Sequence, residues 1–293
     1  MAVSLDGKVA VVTGAGRGLG RAEALELARL GARVVVNDFE PGPAEEVMAE
    51  IHDMGGEAAV NHADVADWEA SKAMVRQAIN VWGRLDILVN NAGFLRDRMI
   101  FNMSEEEWDA VIRVHLKGHF CPMRHAAEYW RERAKVEGAI YGRVINTSSE
   151  AGIGGSPGQP NYSAAKAGIL QLTLSMAQAL AKYGVTANAI LPRAKTRMTE
   201  NMDFFHETQD GWDVFGVENV SPLVAFLASP EAERVSGQAF VVYGKMINVL
   251  AAPASDRRFD AEKPWTPDSV AEHLVPFYEK REPIADGFRA RLA

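Results

Sequence analysis

The chain has 293 residues, 47% of them hydrophobic and 24% charged, the balance of a soluble globular protein and not of a fibrous or disordered one. Its formal net charge is −8, with no basic cluster or long charge run, which argues against nucleic acid as the main partner. No run reaches the roughly 18 apolar residues that a membrane span needs, so no membrane partner is expected.

The single Cys121 rules out a disulfide within the chain and points to a reducing compartment. The opening MAVSLDGKVAVVTGAG enters a strand almost at once and lacks the basic-then-apolar pattern of a signal peptide. A cytoplasmic protein is the expectation.

In chain order, Lys8 to Thr13 reads as a buried parallel strand. It runs into a turn with Gly14, Arg17, Gly18, Leu19 and Gly20, then a helix to Leu30. Strand, glycine-rich turn and helix form a pyrophosphate site, because glycines let backbone approach and a helix N-terminus offers free N–H groups and a positive dipole end. The alternative is a plain tight turn. Arg33 to Val36 is a second strand, followed by Asp38 at the distance expected for a carboxylate on the adenosine ribose. Asp38 would repel a 2′-phosphate and favours NAD; Arg17 would welcome one and keeps NADP open. Asp38 also suits a helix cap. A third strand, Glu57 to Asn61, leads to Asp64 and Val65, where a carboxylate can meet the adenine amino group.

Trp68 to Trp82 has helical periodicity. A fourth strand, Asp86 to Val89, closes on Asn90, Asn91, Ala92 and Gly93. That amide pair can brace the sheet or line the nucleotide crevice. Ser104 and Glu107 form a capping box that opens a long helix through Trp130. His115 and His119 share a face of it, but no Cys or carboxylate completes a metal set at familiar spacing, so no metal is expected. Residues 131–142 read as a surface loop or frayed helix end.

The centre of the chain is Ile145 to Leu172. Ser149 follows an apolar strand, and Tyr162 and Lys166 are four apart in an Ala-rich helical run, so both leave from one face. An ammonium beside a phenol favours the phenolate. The three suit proton exchange with an alcohol: Tyr162 as acid/base, Lys166 as its tuner, Ser149 as the group that orients the oxygen. Tyr-x-x-x-Lys alone also occurs by chance. Val185 to Leu191 is a sixth strand and Gln238 to Tyr243 a seventh. Between them, residues 193–216 have the length of a loop over the site. In it, Phe204, Phe205, Trp212 and Phe215 either floor a pocket or pack the loop down. Alternating strands and helices predict an α/β fold with a doubly wound, parallel, seven-stranded Rossmann-type sheet. Residues 1–250 form one catalytic domain. Residues 251–293 form a C-terminal extension that packs on the pocket or on a neighbouring subunit.

In this order the pieces resemble the short-chain dehydrogenase/reductase (SDR) family. The markers are the Thr13–Gly20 turn, Asn90-Asn91-Ala92-Gly93, Ser149, Tyr162 to Lys166, and the segment Leu191 to Thr196. The resemblance implies hydride transfer at a nicotinamide, with Ser149, Tyr162 and Lys166 catalytic. It implies that Tyr162 and Lys166 also border the nicotinamide ribose, that Asn90 lines the cofactor, and that Thr196 meets its carboxamide end. The helices near Glu105–Trp130 and Pro160–Lys182 are those the family buries in homo-oligomers, dimers or tetramers. His115 stands where many members carry a catalytic Asn; its carbonyl or ring can hold a relay water. Arg193 stands where many have Gly. Val34 to Asp38 and the stretch Val114 to Phe120 are similar to the (3R)-hydroxyacyl-CoA dehydrogenase branch found in multifunctional enzyme type 2, and to related 3-oxoacyl reductases. The substrate implied is a small molecule, a 3-hydroxyacyl or 3-oxoacyl thioester linked to CoA or a carrier protein, with Arg193, Lys195 and Arg197 as cations at the mouth. Two alternatives remain: a hydroxysteroid or other alicyclic alcohol, and a non-catalytic NAD-binding regulator on the same scaffold.

Overall fold

The structure is a computed structural model and describes residues 3–196, 208–209, 211–252 and 255–280. Seven strands form the parallel part of one sheet: β1 (Val9–Thr13), β2 (Arg33–Asn37), β3 (Ala58–Asn61), β4 (Ile87–Asn90), β5 (Gly142–Thr147), β6 (Val185–Pro192) and β9 (Ala239–Tyr243). With a further strand β10 (Met246–Val249) at one edge, the sheet order is β10-β9-β6-β5-β4-β1-β2-β3. The seven parallel strands are those read from the sequence. The eighth, β10, adds an antiparallel edge that was not anticipated. It pairs Met246 with Tyr243 across the two-residue turn Gly244-Lys245, and Gly244 sits at φ 54°, the left-handed backbone such hairpins require. Two short strands, β7 (Thr208–Gln209) and β8 (Trp212–Asp213), form a separate ribbon.

The central parallel strands are buried on both faces, while the edge strand β3 is half-buried along its length. Ala10 and Val12 of β1 pack toward α1 (Gly18–Arg29), α2 (Pro41–Asp53) and α8 (Ser221–Ala228). Val9 and Val11 pack toward α3 (Trp68–Trp82), α5 (Gly118–Glu137) and α7 (Pro160–Leu180). The strand order reverses between β1 and β4, and the crevice at their carboxyl ends is where such sheets take ligands. Past β10, the described residues end in α9 (Pro267–Tyr278), which buries none of its residues. No helix of the described residues is long and apolar enough to cross a membrane.

The long helix expected from Ser104 to Trp130 is in fact two. The capping box at Ser104 and Glu107 is present and opens α4 (Glu105–Ile112). A π-helical turn, Arg113–Lys117, follows, and α5 then runs on to Glu137. Residues 131–137 are therefore helix, not loop. Their charges are spaced to support it: Arg133 pairs with Glu137 one turn on, and Lys135 with Glu132. Trp130 anchors the turn before them, its indole N–H donating to the Leu85 carbonyl at 2.7 Å.

Glu23 of α1 is fully buried, and neither carboxylate oxygen has a hydrogen-bond partner among the described residues. Burial pushes its pKa up to about 8 from an ordinary 4.5. Between those values the folded chain keeps a proton the unfolded chain has lost, so stability falls as pH rises through the window. The loss over the full window is on the order of 5 kcal/mol for a shift of this size. Denaturant unfolding of the wild type from pH 5 to 9 should show this fall, and Glu23→Gln should abolish it. A wild-type curve as flat as the variant's would refute the buried-acid account.

Candidate active site

The glycine turn is shaped by close approach. Gly14 has φ 61°, and a Cβ there would lie 2.7 Å from the Ala92 Cα. A Cβ on Gly20 would lie 2.3 Å from the Gly14 carbonyl oxygen. The loop after β4 is thereby stitched to the turn after β1. Asn91 Nδ2 donates to the Thr13 and Gly14 carbonyls, both at 3.1 Å, and the Asn91 and Ala92 N–H groups donate to Thr13 Oγ1. The helix α1 opens without a side-chain cap, so its first N–H groups face a cleft of about 580 Å³. Backbone cradle, uncapped helix and reversed strand order fit a dinucleotide.

Of the residues expected to hold the cofactor, Gly14, Arg17, Gly18, Leu19, Asp38, Asp64, Val65, Asn91, Ala92, Gly93 and Thr196 line this cleft. Asp38 is held in place by two backbone donors: Gly16 N–H to Oδ2 and Glu40 N–H to Oδ1, both at 3.0 Å. Asp64 accepts from Ala66 N–H at 2.9 Å and from Arg113 at 2.5 Å. Burial pushes its carboxyl up, but the guanidinium and the amide outweigh that and hold it below the usual range. Gly20 lies beneath the cleft instead, as the packing contact just described. Asn90 departs from expectation. It is fully buried and donates to Asn146 Oδ1 at 2.9 Å, so it braces β4 against β5 and does not line the cleft. Among the wall residues that went unread in the sequence are Phe39, Glu40, Arg96 and Arg113. The first two directly follow Asp38, which was the available signal; nothing in the spacing marked the other two.

Ser149, Tyr162 and Lys166 come together at the end of β5 and on the first turns of α7, joined to the cleft through Gly93 and His115. Lys166 is buried, and its Nζ donates to the Thr147 carbonyl at 2.5 Å. Burial lowers its pKa to about 7. Burial also pushes the Tyr162 hydroxyl up to about 12, with a Ser149 hydrogen bond pulling the other way and Asp97 adding to the rise. The expected lowering of Tyr162 by Lys166 is thus not what these side chains do. The ammonium is committed to Thr147, with Nζ 5.3 Å from the Tyr162 ring centroid.

His115 sits in the π-helical turn, buried, with its ring edge-on to Tyr162 at 5.2 Å and 88°. Its Nε2 lies 2.8 Å from the Phe94 carbonyl oxygen. Burial, with the nearby Lys166 charge, lowers its pKa to about 3, so the ring is neutral. Its carbonyl already receives the Gly118 N–H; Nδ1 is buried and without a partner among the described residues.

The aromatic residues of the 193–216 loop divide. Phe215 is buried and stacks on Tyr243 at 5.6 Å, packing the loop down, and Lys245 lies over Trp212. Phe204, Phe205 and Arg197 lie outside the described residues. Arg193, a candidate cation for the mouth, is forked onto Glu150. Among the described residues no three His, Cys, Asp or Glu side chains converge as a metal set.

A dinucleotide cleft beside a Ser, Tyr and Lys at the β5–α7 junction defines an oxidoreductase of the short-chain type. The comparisons agree: the family model for short chain dehydrogenases matches residues 8–206, and the chain belongs to that family, whose members act on CH–OH groups with NAD(P). The chain is 50% identical to a hydroxyacyl-CoA dehydrogenase, ChsB1, of Mycobacterium tuberculosis, over 95% of this chain and 91% of that protein. It is 39% identical to the peroxisomal multifunctional enzyme type 2 of Mus musculus, over 92% of this chain but 36% of that longer protein. A crystal structure of a short chain dehydrogenase from Mycobacterium avium superposes with a TM-score of 0.86 at 48% identity, covering 95% of this chain and 97% of that one.

A Cβ on Gly93 would come within 2.1 Å of His115 Cε1. Gly93→Ala should therefore drive the ring out of its place beside Tyr162. Turnover should fall by about 10- to 100-fold, as misplacement near reacting groups does, and the overpacked ring should lower stability by about 1–3 kcal/mol. Unchanged turnover would show that the His115 ring has no part in placing Tyr162.

Proposed function

We propose that this chain is an NAD-dependent dehydrogenase that interconverts a secondary alcohol and a ketone on a 3-hydroxyacyl or 3-oxoacyl thioester. The observation that carries the chemistry is the meeting of Ser149, Tyr162 and Lys166 beside the dinucleotide cleft. The thioester is supported by the printed activity of the 50% identical relative. NAD, when bound, supplies the hydride acceptor or donor at its nicotinamide ring.

The residues do the rest. Ser149 holds the substrate oxygen by hydrogen bonding. Tyr162 takes the hydroxyl proton in oxidation and returns it to the carbonyl oxygen in reduction. Lys166 presents a positive charge beneath it and, on family analogy, meets the nicotinamide ribose. His115 acts as a neutral wall that keeps the Tyr162 ring in place.

The preference for NAD rests on two carboxylates. Asp38 is fixed by backbone donors at the ribose position. Glu40 lies 2.5 Å from Arg17 and neutralises the cation that would otherwise receive a 2′-phosphate. For the carrier, Arg96 is the cleft cation without an ion pair among the described residues; its guanidinium lies 4.9 Å over the Phe94 ring. It replaces Arg193 as the group facing an anionic carrier.

NADH oxidation with acetoacetyl-CoA tests the reading, with NADPH in parallel. Tyr162→Phe should lower kcat by about 100- to 10,000-fold, the usual worth of a general acid, and leave NADH binding intact by fluorescence titration. Equal activity in the variant would end the assignment of Tyr162. Thioester oxidation should rise with pH, because it needs the tyrosine deprotonated. Glu40→Gln should release Arg17 and raise kcat/KM for NADPH by about two- to fivefold, a small effect because the pair is exposed and screened. A wild type that already prefers NADPH would refute the cofactor assignment.

A further inference from the structure

The pair between Arg193 and Glu150 touches no reacting atom, yet it grips the residue next to Ser149. Arg193 Nε lies 2.6 Å from one Glu150 oxygen and Nη2 2.7 Å from the other. The two side chains are 29% and 27% exposed. A fork on a carboxylate fixes orientation as well as distance, and a pair this sheltered escapes much of the screening that weakens surface pairs. Glu150 opens the turn that shapes Ser149: Ala151 N–H donates to Ser149 Oγ at 3.2 Å, and Gly152 N–H to the Ser149 carbonyl at 2.9 Å.

On its other side Arg193 is anchored to the end of the sheet. Its N–H donates to the Val242 carbonyl at 3.0 Å. Its guanidinium lies 4.8 Å from the centroid of Tyr243, the ring that stacks on Phe215. The Lys195 N–H donates to the Phe215 carbonyl at 2.7 Å. Phe215, Tyr243, Arg193, Glu150 and Ser149 thus form one continuous line of contacts. It runs from the end of the loop after β6 to the hydroxyl that faces Tyr162.

We infer that Arg193 is a positioning residue for Ser149, acting through Glu150. Ser148, the residue before Ser149, is tied to β6 through its backbone, N–H to the Ile190 carbonyl at 2.7 Å. A displacement on the order of 1 Å at a group that must meet the reacting oxygen costs about 100-fold in rate. The inference rests on the proposed reading that Ser149 and Tyr162 handle the substrate oxygen, so its test separates the two.

The test measures ketone reduction with acetoacetyl-CoA and with the acetoacetyl thioester of N-acetylcysteamine, which has no nucleotide. The variants are Arg193→Gln, Arg193→Lys, Glu150→Gln, the double Gln variant and Ser149→Ala. The expected result is a fall in kcat of about 10- to 100-fold for Arg193→Gln with both thioesters, with KM for NADH unchanged. The double variant should be no worse than either single, since the two residues act as one unit, and Arg193→Lys should recover part of the loss. A rise in KM confined to the CoA substrate would overturn the inference and make Arg193 a carrier contact. Additive losses would overturn it too. If Ser149→Ala is inactive while Arg193→Gln is not, the inference fails and the proposed function stands. If neither thioester is turned over by the wild type, the function fails, and a crystal structure of Arg193→Gln decides the rest. Ser149 Oγ should then have left its place beside Tyr162 with α7 unmoved; an unmoved hydroxyl refutes the positioning role.

Discussion

Two loops on neighbouring strands approach each other more closely than side chains allow, and the rest of the site hangs on that approach. The β1 turn and the β4 loop meet with no room for a Cβ on Gly14, whose place lies 2.7 Å from Ala92. Asn91 converts this contact into hydrogen bonds by donating to two carbonyls of the turn. The uncapped start of α1, the backbone of the glycine turn, and Gly93 against His115 are all placed by it. Because β1 and β4 are the strands between which the order reverses, this close approach falls at the sheet's ligand crevice.

Burial then sets the chemistry of the second half. Lys166, Tyr162 and His115 lie together in a region where charge is costly, and each shifts toward its neutral form: lysine down, tyrosine up, histidine down. The free chain thus holds a proton on Tyr162 and a neutral His115 ring. A substrate oxygen entering here meets a proton donor and a hydroxyl, with a lysine whose pKa lies near neutrality close by. The environment that makes Lys166 a weak ammonium also makes its remaining charge effective at short range.

Much of this was legible in the sequence because the signals were local. The seven parallel strands, the glycine turn, the capping box at Ser104 and the Tyr162–Lys166 face follow from periodicity and spacing within a few residues. What went unread depended on contacts between distant parts. Asn90 and Asn91 are adjacent and chemically identical; only the partners Asn146 and Thr13, far along the chain, send one into the sheet and the other to the turn. The partner of Arg193 was not legible because Glu150 is 43 residues away. The edge strand β10 was missed because its four residues alternate half-buried and exposed, a weak pattern beside the solidly buried strands.

The π-helical turn at Arg113–Lys117 is the hardest feature to read and ties the two halves together. No proline or glycine within it marks a break, so a pattern of residues three and four apart continues smoothly through it. The reason for the turn appears only in its neighbours. Arg113 reaches Asp64 on one side and His115 reaches Phe94 on another. Leu116 fills the space a Cβ on Gly168 would take, and Gly118 lies where a Cβ would strike Val65 at 2.7 Å. A regular helix presents its residues at a fixed 100° step and must choose which of these directions to satisfy. One extra residue in the turn changes that phase and allows the Asp64 side of the cleft, the wall beside Tyr162 and the α7 interface to be met from six consecutive residues. Departures of this kind are concentrated at functional sites, and here the departure couples the cleft's Asp64 to the ring that abuts Tyr162.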